Sequence, residues 1–260
     1  MQTSEWTTLG ICILAALLHG LSGFGFPMMS TAVLSNQYPL SVAVTIVIIP
    51  CLALNLLMLN ADPQHRFLSS IQYYLKAYWP LILSSLLGSL IGVQLLLWLN
   101  EGYLKLLLGA VIIFYVFDQF RTQPFQTGQG VLSMLCFGLL AGIIGGATNA
   151  MAPFLMMYLL SRQLSKVDIV IISNLSFVAS KIIQLFLLFP VLISISIEQK
   201  YLVIWITLFA LVGVWIGSKI RHHLSQRHFK ILVLIALFGL GIQALWQSIG
   251  LLEHSHLLFK

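Results

Sequence analysis

The sequence predicts an all-α integral membrane protein in which eight hydrophobic segments form two homologous repeats of four segments each. Of the 260 residues, 59% are hydrophobic and only 8% are charged, whereas roughly a quarter of the residues of a soluble domain carry a charge. The apolar residues fall into runs of about 20, which is the length a helix needs to cross a bilayer. The two halves of the chain also match one another when they are aligned.

The eight segments follow one another with short polar connections. They span residues 8–35, 40–59, 75–99, 103–120, 130–160, 167–190, 201–218 and 229–249. The first and fifth segments are too long for one ordinary span, and glycine and proline interrupt them at GLSGFGFP (20–27) and GGATNAMAP (145–153). We therefore expect a break at Pro27 and another at Pro153. The N-terminal residues MQTSEWTT lack a basic signal-peptide region, so the first segment is expected to be retained.

The internal repeat becomes visible when the chain is compared with itself at a shift of 126 residues. This shift superimposes identical residues of the two broken segments: Leu14 on Leu140, Ala15 on Ala141, Gly20 on Gly146 and Pro27 on Pro153. A shift of 125 then pairs GSLIG (88–92) with GVWIG (213–217), and Lys105 with Lys230. A nearly constant shift over so much of the chain predicts a first repeat at 1–125 and a second at 126–260.

The distribution of the basic residues indicates how the chain is oriented in the membrane. The net charge is +6, but the 13 Lys and Arg are scattered over short connections, which indicates orientation in a membrane rather than a nucleic-acid surface. If all eight segments cross, seven basic residues lie on one side and five on the other; if segments 1 and 5 are re-entrant, the division is nine against three. Both alternatives place the termini outside. Only the re-entrant alternative places the loop at 60–75 in the cytoplasm.

Lys181 is the residue that most strongly indicates a function. It lies near the middle of the sixth segment, more than about 10 Å from either helix end at 1.5 Å per residue. A cation at that depth usually faces a cavity or a partner, and all seven acidic residues lie in loops or at segment ends. An anionic substrate is the simplest counter-charge. The alternatives are a snorkelling lysine or one paired with a helix C-terminus.

Further polar groups and glycines surround this position in the predicted arrangement. Broken helices expose N-terminal N–H groups that suit an anion, although glycines also serve close helix packing. Helical spacing places Asn174 and Gln184 near the face of Lys181. We therefore predict substrate contacts from Lys181, Asn149, Thr148, Asn174, Gln184, His19, Ser22, Gly23, Gly25, Gly145 and Gly146. His19 binds the anion, carries a proton or merely packs, and the sequence leaves these three open.

Other chemistry is disfavoured. The three cysteines lie in apolar stretches without metal-ligand spacing, and no hydrolase, metalloprotease or nucleotide-binding motif is present. His222, His223 and His228 stand in a basic connection, where contact with lipid headgroups or control of topology is a sufficient explanation. We expect no enzyme activity, no cofactor, no metal and no nucleic-acid partner.

The residues resemble the sulfite exporter TauE/SafE family, also called the 4-toluene sulfonate uptake permeases. The resemblance rests on the duplicated break, GLSGFGFP and GGATNAMAP, and on a GxxxG third span that leads through a polar turn into a fourth (GSLIG to LNEGYLKLLLG, and GVWIG to LSQRHFKILV). It covers nearly the whole chain. The glycine runs are less rich here than in the family's usual pattern. Family membership implies transport of sulfite, thiosulfate, sulfoacetate or sulfonates across the bacterial inner membrane.

These observations together predict a membrane transporter of a small anion such as sulfite or another organosulfur anion. Export is expected, since an inside-negative potential drives an anion outward and no carboxylate at membrane depth is available to bind a coupling ion. The alternatives are a proton-coupled importer of an organic anion that uses His19, and a non-transporting membrane subunit. The partners are the substrate and membrane lipids, and homo-oligomerisation is left open.

Overall fold

The computed structural model describes residues 3–60, 67–121, 127–128, 130–162, 164–220 and 226–258. All regular secondary structure within these ranges is helical. The helices are α1 (Thr3–Ser22), α2 (Phe26–Leu34), α3 (Leu40–Met58), α4 (Phe67–Trp98), α5 (Glu101–Asp118), α6 (Val131–Thr148), α7 (Ala152–Ser161), α8 (Lys166–Leu187), α9 (Phe189–Ser194), α10 (Ile197–Ile220) and α11 (Gln226–Leu258). The prediction of an all-helical protein is confirmed for this part of the chain.

Among the described residues, five helices are long and apolar enough to cross a membrane. They are α3, α4, α6, α8 and α10, with mean hydropathies between 1.8 and 2.5. Helix α4 is the longest of these and is kinked, with non-helical angles at Tyr78 (φ −121°, ψ 19°) two residues before Pro80. Proline removes one backbone N–H and its ring clashes with the preceding turn, which accounts for the kink.

The first predicted segment forms a hairpin of two helices. Helix α1 ends at Ser22, α2 begins at Phe26, and Gln37, just beyond α2, donates a side-chain hydrogen bond to the Thr8 hydroxyl in α1. If both helices ran in one direction, those two residues would lie about 40 Å apart at 1.5 Å per residue. Helix α2 therefore folds back along α1, and Gly23 and Gly25 lie at the tip.

The fifth predicted segment forms a similar hairpin from α6 and α7. The hydroxyl oxygens of Thr127, before α6, and Ser161, at the end of α7, lie 2.5 Å apart. At the tip, Asn149 adopts a left-handed conformation (φ 62°) and its N–H donates to the Gly145 carbonyl. Gly23 at the first tip also has a positive φ, of 84°, so both hairpins turn through a left-handed residue.

Each hairpin packs closely on a helix of the other half. Helix α6 lies along α4, and α1 lies along α10. A Cβ placed on Gly92 of α4 would lie 2.2 Å from the Ile143 carbonyl oxygen, and one on Gly217 of α10 would lie 2.3 Å from the Leu17 carbonyl oxygen. Because only glycine permits such close backbone contact, the GSLIG and GVWIG motifs are the surfaces that hold the two hairpins.

The central helices complete the bundle. Helix α3 packs against α8, and α5 packs against α11. Large apolar side chains remain exposed along the outward faces of the helices, including Leu83, Leu87 and Ile91 at one-turn spacing on α4. Continuous exposed apolar surface of this kind suits contact with lipid, so the buried polar side chains described next lie inside an apolar shell.

Candidate functional site

The ammonium of Lys181 is buried in the interior, with 3% of the residue exposed. Its Nζ donates a 2.5 Å hydrogen bond to Oε1 of Gln184 and a second hydrogen bond to Oδ1 of Asn149. Both acceptors are neutral amides. Within the described part of the chain no carboxylate lies within ion-pair distance of Lys181, so its positive charge is solvated by dipoles alone.

Gln184 and Asn149 join this lysine to both hairpins. The Gln184 amide nitrogen donates to Oδ1 of Asn149 (3.0 Å) and to the carbonyls of Gly145 (3.0 Å) and Gly146 (3.1 Å) near the end of α6. The Asn149 amide nitrogen donates to the Thr31 hydroxyl of α2 over 2.7 Å. A chain of buried hydrogen bonds therefore runs from α8 through the tip of the second hairpin into the first.

A small cavity lies beside the Lys181 ammonium. Its lining residues are Pro27, Gly145, Asn149, Met151, Phe177, Ser180 and Lys181. Pro27 is in the first turn of α2 and Met151 immediately precedes α7, so the N-terminal ends of both short helices face this cavity. Neither helix has a side-chain cap. The cavity has room for roughly one water molecule, which makes this a closed conformation for any larger ligand.

A second polar group lies at the tip of the first hairpin. The Asn174 amide nitrogen donates to the carbonyls of Gly23 (3.1 Å) and Val170 (2.7 Å). His19 is completely buried and neighbours Asn174. Among the described residues, neither ring nitrogen of His19 nor Oδ1 of Asn174 has a hydrogen-bond partner with good geometry. The structure thus separates His19, Gly23 and Asn174 from the Lys181 cluster.

The remaining predicted contacts have local roles or lie apart. The Thr148 hydroxyl donates to the Ile144 carbonyl within α6 (2.7 Å). A Cβ on Gly146 would lie 2.7 Å from the Ser89 carbonyl oxygen, so that glycine permits helix packing, whereas a Cβ on Gly25 (φ 111°) would meet nothing within 4 Å. Pro153 lies in the first turn of α7. The Ser22 side chain lies outside the described residues.

Several residues in this region were not predicted from the sequence. Thr31 and Ser180 carry hydroxyls too common in membrane helices to single out, yet Thr31 accepts from Asn149, and Ser180 lines the cavity and accepts a 2.6 Å hydrogen bond from Ser89. Asn55 of α3 is fully buried, and neither its Nδ2 nor its Oδ1 has a partner within the described part. Asn55 lies 126 residues before Lys181, which is the shift that aligns the two halves of the chain, and this spacing could have identified it from the sequence.

The structure offers no metal site in the ranges it describes, where no group of three His, Cys, Asp or Glu side chains comes together. His222 and His223, from the basic connection, lie outside the described residues, as does the side chain of His228.

Apolar helices that enclose a buried cation beside a small cavity define the class of multi-pass membrane proteins. The chain belongs to the sulfite exporter TauE/SafE family, whose model matches residues 8–244. The family resemblance seen in the sequence is thereby confirmed, and so is the assignment to membrane transport. A transporter family is also consistent with the expectation that the protein is not an enzyme. No significant match was found among curated proteins or among solved structures.

Proposed function

We propose that this protein carries a small sulfur-containing anion such as sulfite across the membrane and that Lys181 binds it. The observation that carries the proposal is the meeting of three anion-attracting groups at one cavity: the Lys181 ammonium and the uncapped N-terminal ends of α2 and α7. Helix N-termini present free N–H groups and partial positive charge, and the lysine has only neutral hydrogen-bond partners among the described residues. An oxyanion would supply the missing negative charge.

The packing of the helices supports a duplicated and inverted architecture with repeats at 1–125 and 126–260. Exchanging the halves maps the α1–α10 contact onto the α6–α4 contact, and it maps the α3–α8 and α5–α11 contacts onto themselves. If each hairpin enters and leaves the membrane on the same side, the other six segments cross it. The basic residues then divide nine against three, which favours cytoplasmic loops on the richer side and both termini outside.

Transport then proceeds by alternating access, in which the two repeats rock about the site between them. The closed cavity requires a movement of the hairpins before an ion of four heavy atoms can enter. Each unit of negative charge that leaves the cytoplasm gains about 2.3 kcal/mol per 100 mV of inside-negative potential. We therefore propose potential-driven export across the bacterial inner membrane without ion coupling.

The proposal is tested by flux of labelled sulfite in proteoliposomes with an imposed potential, with thiosulfate and sulfoacetate as competitors. Wild-type protein should show potential-driven flux, and Lys181→Ala should lose it while remaining folded and inserted. Lys181→Arg should rescue poorly, because the bulkier guanidinium does not fit the closed cluster. Wild-type flux in Lys181→Ala would refute the anion-binding role. A wild type that transports no sulfur anion would refute the proposed function and favour a non-transporting subunit.

One observation favours a second candidate, proton-coupled uptake of an organic anion. His19 is buried at the first hairpin tip, and within the described part neither ring nitrogen has a hydrogen-bond partner with good geometry. Such a histidine can receive a proton or a ligand during transport. This candidate predicts flux that depends on a proton gradient in the wild type and loses that dependence in His19→Gln. Flux with equal gradient dependence in the variant would exclude it.

A further inference from the structure

Asn55 is a buried side chain whose amide makes no hydrogen bond to any described residue. It lies in α3 with none of its surface exposed, and within the described part of the chain neither its amide nitrogen nor its oxygen has a partner. A buried amide without partners destabilises the fold. Thr45, which is also fully buried in α3, avoids this cost by donating to the Ser41 carbonyl over 2.7 Å. A residue that only supports the fold would not need an amide here.

The position of Asn55 connects it with the Lys181 region. It follows Cys51 by one helical turn, so both side chains lie on the same face of α3. Cys51 interacts electrostatically with Lys181, and α3 packs directly against α8. Asn55 therefore lies on the same face of α3 as a residue within electrostatic reach of Lys181.

The repeat register relates the same two positions. Asn55 and Lys181 differ by 126 residues, the shift that also relates Pro27 to Pro153. The same shift relates Gly23 to Asn149, each of which has a positive φ at its hairpin tip. Asn55 thus occupies in the first repeat the place that Lys181 occupies in the second, on helices that pack against each other.

We infer that Asn55 is a second substrate-contacting residue, the uncharged counterpart of Lys181 in the first repeat. This inference rests on the proposed function. Its amide nitrogen donates to an oxygen of the anion, and its amide oxygen accepts from the hydroxyl of a protonated anion such as bisulfite. The ion moves between an ammonium on α8 and an amide on α3, and the two contacts together replace part of its hydration.

The test compares Asn55→Leu with the control Thr45→Val, a nearly isosteric change in the same helix. Sulfite flux in proteoliposomes and thermal unfolding of the detergent-solubilised protein are measured for both variants and the wild type. Asn55→Leu should lower flux at least about tenfold, the effect of losing one hydrogen bond to a charged ligand. Its unfolding temperature should be equal to or above that of the wild type, because leucine removes an unsatisfied amide. Thr45→Val should leave flux unchanged.

Each outcome separates this inference from the function on which it rests. Wild-type flux in Asn55→Leu overturns the inference and leaves anion transport standing. Loss of flux together with a lower unfolding temperature also overturns it, since the amide then serves the fold. A wild type without flux of any sulfur anion overturns the proposed function, and the inference falls with it.

Discussion

Two buried lysines of this protein have opposite surroundings. Lys105 of α5 is 7% exposed, and its Nζ lies 3.2 Å from the Glu101 carboxylate. It also donates to the Ser35 carbonyl and to Oε1 of Gln247, both over 2.9 Å. Lys181 of α8 is buried to a similar degree, yet both of its acceptors are neutral amides. One cation has its counter-charge in the protein, and the other has none among the described residues.

The difference teaches how to separate a structural cation from a functional one. Lys105 ties α5 to the end of the first hairpin and to α11, and Glu101 also accepts from the backbone N–H of Leu40 at the start of α3. That network is complete without a ligand. The Lys181 network is electrically incomplete, and desolvating an unpaired charge is costly. An anionic ligand that brings the missing charge explains why the cost is tolerated.

The largest effect is expected from giving Lys181 an internal counter-ion. Asn149→Asp places a carboxylate where the amide oxygen already accepts from the lysine, and aspartate tolerates the left-handed backbone of this residue. A carboxylate within the molecule competes at an effective concentration far above that of a dissolved anion, so sulfite flux should fall at least about 100-fold. Flux in proteoliposomes measures this loss, and thermal unfolding checks that the variant remains folded.

The control for this change is Asn100→Asp, the same substitution at a residue whose side chain accepts from the Gly102 N–H at the start of α5. It keeps the accepting oxygen, lies away from Lys181 and should leave flux unchanged. Wild-type flux in Asn149→Asp would show that Lys181 does not need a free positive charge for transport.

A smaller effect, on stability rather than transport, is expected for Lys105→Met. The change removes the donor to the Ser35 carbonyl and to Oε1 of Gln247 and the cation beside Glu101, and it should lower stability by about 1–3 kcal/mol. Flux per folded molecule should stay within twofold of the wild type, roughly the scatter expected for a residue that makes no substrate contact. An unchanged unfolding temperature, or a selective loss of flux, would remove the contrast between the two lysines.

The smallest effect is expected for Glu101→Gln. Glutamine retains a carbonyl oxygen that can accept from the Leu40 N–H, but it removes the negative charge beside Lys105. Because the Glu101 side chain is 31% exposed, solvent screens the pair and the loss should be only about 0.5–1 kcal/mol. Denaturation in detergent checks this value, and a loss as large as that of Lys105→Met would mean that the pair is far less screened than its exposure indicates.

The sequence predicted the helices and the polar centre because both depend on local spacing. Runs of about 20 apolar residues located the helices, and spacings of seven and three residues within α8 placed Asn174, Lys181 and Gln184 on one side of the helix. Lys181 stood out since ionisable residues at membrane depth are rare. The structure does bring Lys181, Gln184 and Asn149 together.

Contacts between distant segments could not be read from that spacing. The fold-back of α2 along α1 brings together the Gln37 and Thr8 side chains, which are 29 residues apart in the chain. The division of the predicted contacts into a Lys181 cluster and a His19 cluster depends on where each hairpin tip meets α8. The sequence could not show whether the Thr148 hydroxyl faces a ligand or donates to a carbonyl of its own helix, because a threonine in a helix is compatible with both.

The most direct test of the central claim, that an anion supplies the counter-charge of Lys181, is the effect of sulfite on the unfolding temperature of purified protein. Sulfite should raise this temperature in the wild type, since a ligand at 100 times its Kd stabilises by about 2.7 kcal/mol. Lys181→Met should be as stable as the wild type without sulfite and should show no rise when it is added, whereas Lys105→Met should keep the rise. An equal rise in Lys181→Met and wild type would contradict the claim.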